Sequence, residues 1–436
     1  MTIINYFNRK FPPGGFARNV FDLMTGTAAA QVIYAVISPV LTRLYSPGEL
    51  GIMALYISIA TVGTVVLSWR YELAIVLPKD DRDAANLFAL STALAIGMIL
   101  LSALVILLFR SPIINLLGSP DIGPWLPVIP LSFLALGLYQ VFNSWYTRKK
   151  LFKGIAISKI GQSIAAVTVQ TITGLSAMGT VGLIAGQVAG AVMATAILAR
   201  RIIKDDLKYI LKSLNKRRML DAATRYKKYA LYSTWPAFID ILTMSLPVFF
   251  VTKYFDSNTV GQYALSIRAL QIPLFLIGAS VGKVYFQRLA QEINEKGDIS
   301  YLVEKTFLRL LAMAIPGCIF LVVFAPTFFE SVFGSPWRTA GEFTQILAPA
   351  MAIRFITSPL TTAFGATNRQ EVAAVWQVSA LISMMFFLFG SLYFNNPIAT
   401  IIALAINDLI LYSIYLLLVF RITGAQILRA FRRGLV

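Results

Sequence analysis

The chain has 436 residues, of which 57% are hydrophobic and 13% charged, about half the charged fraction of a soluble domain. Lys plus Arg number 38 and Asp plus Glu 20, a formal charge of +18, with no histidine and one cysteine, Cys318, inside an apolar run. This composition excludes a soluble enzyme, a disordered chain and a disulfide-stapled scaffold; it also excludes metal sites built on histidine or thiolate, so no metal and no cofactor is expected.

A membrane-spanning helix needs about 20 mainly apolar residues. In chain order such runs fall at 20–43, 50–77, 84–109, 123–146, 154–174, 181–199, 231–252, 260–287, 303–325, 342–365, 372–394 and 398–420. The expected fold is therefore all-α, a polytopic membrane protein of twelve transmembrane helices. The runs are continuously apolar rather than alternating, which excludes an outer-membrane barrel. Spans 50–77 and 260–287 exceed the bilayer and must tilt, bend or project beyond it.

With an even number of spans both termini share one side. If that side is cytoplasmic, the segments there carry 29 of the Lys and Arg residues and the opposite segments carry 4. The positive-inside rule then places both termini in the cytoplasm. Most of the positive charge is thereby a topology signal, and no nucleic-acid partner is expected. The basic stretch 200–228 carries Ile202, Ile203, Leu207, Ile210, Leu211 and Leu214 at near-helical spacing. It reads as an interfacial amphipathic helix on anionic membrane lipid. It also links two halves: a six-helix lobe at 1–199, the linker 200–228, a second six-helix lobe at 229–420 and a basic cytoplasmic tail at 421–436.

The halves echo each other. Pro39-Val40, followed by Gly51-Ile52-Met53-Ala54-Leu55, has a counterpart in Pro247-Val248, followed by Gly261-Gln262-Tyr263-Ala264-Leu265. Ile113-Ile114-Asn115-Leu116-Leu117-Gly118-Ser119-Pro120 is echoed by Phe328-Phe329-Glu330-Ser331-Val332-Phe333-Gly334-Ser335-Pro336. Six spans per copy insert with the same polarity, so the lobes are expected to be related by a pseudo-two-fold along the membrane normal, the architecture of a transporter working by alternating access.

Phe324-Ala325-Pro326, Val332-Phe333-Gly334-Ser335-Pro336-Trp337, Ala340-Gly341 and Ile346-Leu347-Ala348-Pro349 resemble the outer loop between helices nine and ten of polysaccharide transporters. Leu41 to Gly51 is similar to the first outer turn of that family, and Arg70-Tyr71-Glu72-Leu73-Ala74-Ile75-Val76-Leu77-Pro78 to its second-helix ending. Over essentially its whole length the chain resembles the Wzx-type flippases of the multidrug/oligosaccharidyl-lipid/polysaccharide exporter superfamily. The resemblance implies translocation of undecaprenyl-diphosphate-linked oligosaccharide from the cytoplasmic to the periplasmic leaflet of the bacterial inner membrane, for O-antigen, capsule or exopolysaccharide assembly. It implies a proton or sodium ion as driving partner, and a polysaccharide polymerase and chain-length regulator as protein partners. The alternative on the same fold is a cation-coupled multidrug exporter. An enzyme is not expected, because the periplasmic connections are short and the richest, 326–342, holds only Glu330 and Glu342 as carboxylates.

Ionisable groups inside spans are costly and usually face a cavity or a partner. Here Arg70, Arg268, Lys283, Arg309 and Arg354 stand against Glu72, Asp240 and Asp408. The net positive interior suits a diphosphate better than a cationic drug, since arginine grips phosphate through paired hydrogen bonds. Arg268 and Arg354 lie deepest and are the first substrate-binding candidates. The competing reading makes each half of a buried ion pair, Asp240 with Arg268 or Arg354 with Asp408. Lys283, nearer the cytoplasmic end, either snorkels or meets the entering head group; Arg70 completes the substrate-binding set. Asp240, Asp408 and Glu72 are the coupling-ion candidates. Trp376 and Trp235 lie within spans as candidates for sugar contact.

Overall fold

The structure is a computed structural model that describes residues 16–274, 279–295, 297–367 and 369–434. The described residues are helical or in turns, with no strand among them. The chain divides into two compact units, Met1–Ser257 and Asn258–Val436.

The first unit runs through α1 (Phe16–Leu44), α2 (Pro47–Thr64), a 3-10 helix (Tyr71–Val76), α3 (Asp81–Leu117), a second 3-10 helix (Pro120–Val128), α4 (Ile129–Arg148), α5 (Phe152–Leu175), α6 (Thr180–Arg201), α7 (Leu207–Ser213) and α8 (Lys216–Tyr254). Pro47 opens α2 behind a capping box: the Glu49 backbone N–H donates to Ser46 Oγ, and the Ser46 N–H donates back to the Glu49 carboxylate at 2.7 Å. Such reciprocal bonds satisfy donors that a helix start otherwise leaves orphaned. One end of the unit is tied by polar contacts. Arg148 on α4 reaches Asp81 Oδ1 at 2.7 Å and donates to the carbonyls of Ile75 and Pro78. The Asn86 side chain donates to Ser213 O and accepts from Asn215 N, fixing the α7–α8 turn against α3. Beside it, the Arg82 backbone N–H and then the Arg218 guanidinium hold the Asp80 carboxyl below its usual range.

The second unit comprises α9 (Ser257–Pro273), α10 (Ala279–Glu295), α11 (Ile299–Phe333), a 3-10 helix (Ser335–Trp337), α12 (Arg338–Leu360), α13 (Thr362–Ala366), α14 (Gln370–Ser391), α15 (Pro397–Thr423) and α16 (Ile427–Gly434). α11 and α12 approach so closely that a Cβ at Gly341 would lie 2.5 Å from Pro326 Cα, which explains the glycine. α9 is pinned to the start of α12 by Gln262, which donates to Pro336 O and accepts from Ala340 N, and by Ser266, which donates to Ala340 O. Phe307, Phe364, Tyr415, Leu416, Val419 and Phe420 form its buried core.

The structure accounts for ten of the twelve expected spans. Among the described residues ten helices are long and apolar enough to cross a membrane. The two expected spans without such a helix are 50–77 and 260–287, those flagged by their length. In the first, α2 stops at Thr64. The chain then tightens into bonds three residues apart (Val66 to Gly63, Trp69 to Val66, Tyr71 to Ser68, Leu73 to Arg70), with Trp69 and Arg70 left-handed at φ 49° and 55°. Hydropathy is blind to this break, because Val65, Val66 and Leu67 are as apolar after the helix end as before it. In the second, α9 covers Ser257–Pro273 and α10 covers Ala279–Glu295, and residues 275–278 lie outside the described residues.

The basic stretch 200–228 is helical except at Leu214 and Asn215. α6 passes through a π-turn at Ile202–Asp206 into α7, and α8 starts at Lys216, so the first turns of the seventh span are basic. α8 packs on α2 and α3, and the compact units part after Ser257. One sequence echo is also a local structural echo. α3 and α11 each end at a glycine with positive φ, Gly118 at 68° and Gly334 at 106°. Each is followed by a 3-10 helix with proline at its start, Pro120 or Pro336.

Candidate functional site

In the second unit, three helices gather polar groups out of apolar sequence. α15 presents Asp408, Tyr412 and Tyr415 at i, i+4 and i+7, one face of a helix. α12 brings Arg354, and α14 brings Trp376 and Ser383 at i and i+7. Arg354 Nη1 stands 3.9 Å from Asp408 Oδ2, the two side chains 22% and 18% exposed. The Arg354 guanidinium also lies 5.2 Å from the centre of the Tyr412 ring, within cation–π range. Asn407, fully buried, donates to Asp408 Oδ1 at 3.1 Å and accepts from Ser383 Oγ at 2.6 Å. The carboxylate is thus oriented from one side by an amide that a serine fixes in turn.

An aromatic stack adjoins this cluster. Trp376 lies parallel to Tyr415, with 4.0 Å between ring centres and 6° between planes. Phe364 continues the stack on Tyr415 at 5.0 Å, and Trp376 meets Tyr412 edge-on at 6.0 Å. Trp376 is half-buried. The arrangement combines a guanidinium, a carboxylate, an amide and a flat aromatic wall, which are the elements that recognise phosphate and sugar.

Of the sequence candidates, the structure brings Arg354 and Asp408 together, the ion pair that the sequence offered as the competing reading. In the first unit, Arg70 and Glu72 flank the break in span two. Glu72 is 3% exposed and accepts a short hydrogen bond from Ser68 Oγ, while the buried Arg70 Nε has no hydrogen-bond partner. Arg268 lies on α9 and Asp240 on α8, both half-buried. Lys283 falls on α10, but its side chain lies outside the described residues. Trp235 is exposed beside Phe238, edge-to-face at 6.2 Å. Among the described residues no three His, Cys, Asp or Glu side chains converge as metal ligands.

Sequence reasoning missed Asn407, Ser383 and Tyr412. The Asn407-Asp408 pair inside an otherwise apolar run was a usable signal, as was the helical spacing from Asp408 to Tyr412 and Tyr415. Ser383 carried none, since serine is common in membrane helices.

A family model for polysaccharide biosynthesis proteins matches residues 40–342. The chain belongs to that family. This agrees with the resemblance to Wzx-type polysaccharide transporters. Within the polysaccharide biosynthesis family, the chain is 19% identical over 350 residues to lipopolysaccharide biosynthesis protein WzxC of Escherichia coli (strain K12), a match covering 78% of this chain and 67% of that protein. It is 22% identical over 332 residues to succinoglycan biosynthesis transport protein ExoT of Rhizobium meliloti (strain 1021), covering 76% of this chain and 64% of ExoT. The chain thus spans about two thirds of the length of these relatives. Its fold is similar to that of a solved structure of lipid II flippase MurJ, described as an inward closed conformation of that protein, with a TM-score of 0.71 at 14% identity, covering 96% of this chain and 90% of that one. This family member is a helical, multi-pass membrane protein.

Proposed function

We propose that this protein flips undecaprenyl-diphosphate-linked oligosaccharide repeat units from the cytoplasmic to the periplasmic leaflet of the bacterial inner membrane, for O-antigen, capsule or exopolysaccharide assembly. It does so by alternating access and catalyses no covalent reaction. The observation that carries this reading is Arg354, an intramembrane cation 3.9 Å from the Asp408 carboxylate and within cation–π range of Tyr412. A diphosphate brings about two negative charges and competes with Asp408 for the guanidinium, which forks onto phosphate oxygens. In this reading the Trp376 ring contacts a sugar of the cargo. Membership of a polysaccharide biosynthesis family, with relatives named for lipopolysaccharide and succinoglycan biosynthesis, supports the cargo.

In this reading 50–77 and 260–287 also cross the membrane, completing twelve crossings in two six-helix lobes related by a pseudo-two-fold, with both termini cytoplasmic. Arg268, Lys283 and Arg70 serve the substrate with Arg354. Asp240, Asp408 or Glu72 carries the coupling proton or sodium ion, and the polymerase and chain-length regulator receive the product.

Deleting the encoding gene and extracting lipid-linked intermediates tests the proposal. Complete repeat units should accumulate on the inner leaflet while surface glycan is lost. Normal surface glycan in the deletion strain overturns it.

A further inference from the structure

α15 gives way at Gly424, left-handed at φ 69°, and the chain turns there toward α16. The turn is pinned to the start of α11. Ser300 Oγ donates to Thr423 O at 2.8 Å, and the Gln426 N–H donates to the buried Glu304 carboxylate at 3.0 Å. On α16 itself Ala430 is fully buried, and Phe431 meets Phe307 edge-on at 6.5 Å. Phe307 is about 12 Å along α11 at 1.5 Å rise per residue, just inside the apolar run 303–325. α16 therefore sits at the edge of the hydrocarbon, beside the ends of two apolar helices long enough to span it.

The short helix sorts its side chains by direction. At about 100° per residue, Ile427, Phe431 and Leu428 share one flank, Arg432 and Arg429 the next, and Ala430 a third that meets the protein. The apolar flank is open, with Ile427 36%, Leu428 77% and Phe431 45% exposed. Arg432 is exposed, Arg429 is half-buried, and Arg421 is exposed in the last turn of α15. Among the described residues none of these arginines is ion-paired. A helix so divided settles in a bilayer interface, its apolar flank among acyl chains and its cations among head groups. Charge selects the occupant. A second copy of this face would set arginine against arginine, and a zwitterionic head group carries no net charge to attract one. An acidic phospholipid offers a net negative phosphate, onto which guanidinium forks, together with chains that cover the apolar flank.

We propose that α16 is a binding surface for acidic phospholipid, which holds this helix, and through it the adjoining ends of α11 and α15, against the membrane. The assignment is independent of the cargo. Hydrogen–deuterium exchange tests it on the full chain, one chain per nanodisc, in dioleoylphosphatidylcholine alone or mixed with dioleoylphosphatidylglycerol. Exchange over 427–434 should be several-fold slower with phosphatidylglycerol present, measured against the middle of α6 as internal reference. The difference should shrink in concentrated salt, which screens exposed charges. Arg429→Gln combined with Arg432→Gln should remove it; the native chain in the two lipids gives the answer even if that variant fails to fold. Equal exchange in the two lipids, or a lipid difference that survives the arginine variant, overturns the assignment. So does protection found only in discs that hold two chains, the sign of a second copy on this face.

Discussion

Arg354 on α12 and Asp408 on α15 stand 3.9 Å apart, close enough to offset each other's charge and beyond the 2.7–2.9 Å or so of a charge-assisted hydrogen bond. Asn407 holds the carboxylate while Tyr412 faces the guanidinium. On the proposed reading, the carboxylate neutralises the cation until the substrate diphosphate takes its place.

Charge reversal separates structure from transport. Arg354→Gln should abolish surface glycan and, by stranding a largely buried carboxylate, cost about 1–3 kcal/mol of stability. The double variant Arg354→Asp with Asp408→Arg should recover the melting temperature in detergent without recovering export, because the cation has moved to another helix. Recovery of both shows that the pair only locks α12 to α15.

Trp376 tests the aromatic wall. Trp376→Ala removes the stack on Tyr415 and should cost about 3 kcal/mol, the low end for a buried tryptophan because this one is half-buried. Trp376→Phe keeps a ring on Tyr415 and should retain most of the stability. Export by this variant, measured as surface glycan per folded protein, should fall if the indole face bears on sugar.

Gly63 precedes the break in span two. A Cβ there would lie 2.2 Å from the Phe133 ring. Gly63→Ala should therefore destabilise the first unit by about 1–3 kcal/mol through overpacking. Phe133→Leu introduced alongside should return part of the loss, seen as a raised melting temperature relative to Gly63→Ala alone.

Arg148 ties the 3-10 helix and the turn after it to α3 and α4 through Asp81 and the carbonyls of Ile75 and Pro78. Arg148→Ala leaves these acceptors without their donor and should cost about 1–3 kcal/mol. Arg148→Lys should recover only a part, since an ammonium cannot fork across three acceptors. Faster proteolysis at residues 76–80 is the expected sign of loosening.

The membrane fold was legible because hydrocarbon imposes one strong requirement: a long apolar helix that satisfies its own backbone. Ten such helices stand where apolar runs predicted them, from Leu23–Leu44 to Pro397–Thr423. Proline and glycine marked the local echo at Gly118-Ser119-Pro120 and Gly334-Ser335-Pro336, since backbone geometry at those residues is nearly sequence-determined. The end of α2 was not legible, because hydropathy records what a side chain prefers and not which way the backbone turns. The site divided the same way. Composition flagged Arg354 and Asp408 as costly charges in apolar runs, and their helices could be placed at once. Whether they meet, and that Asn407, Tyr412 and Trp376 meet them, depends on which faces of α12, α14 and α15 are buried together. Those contacts join residues far apart in the chain, where no local propensity acts, and only tertiary packing sets them.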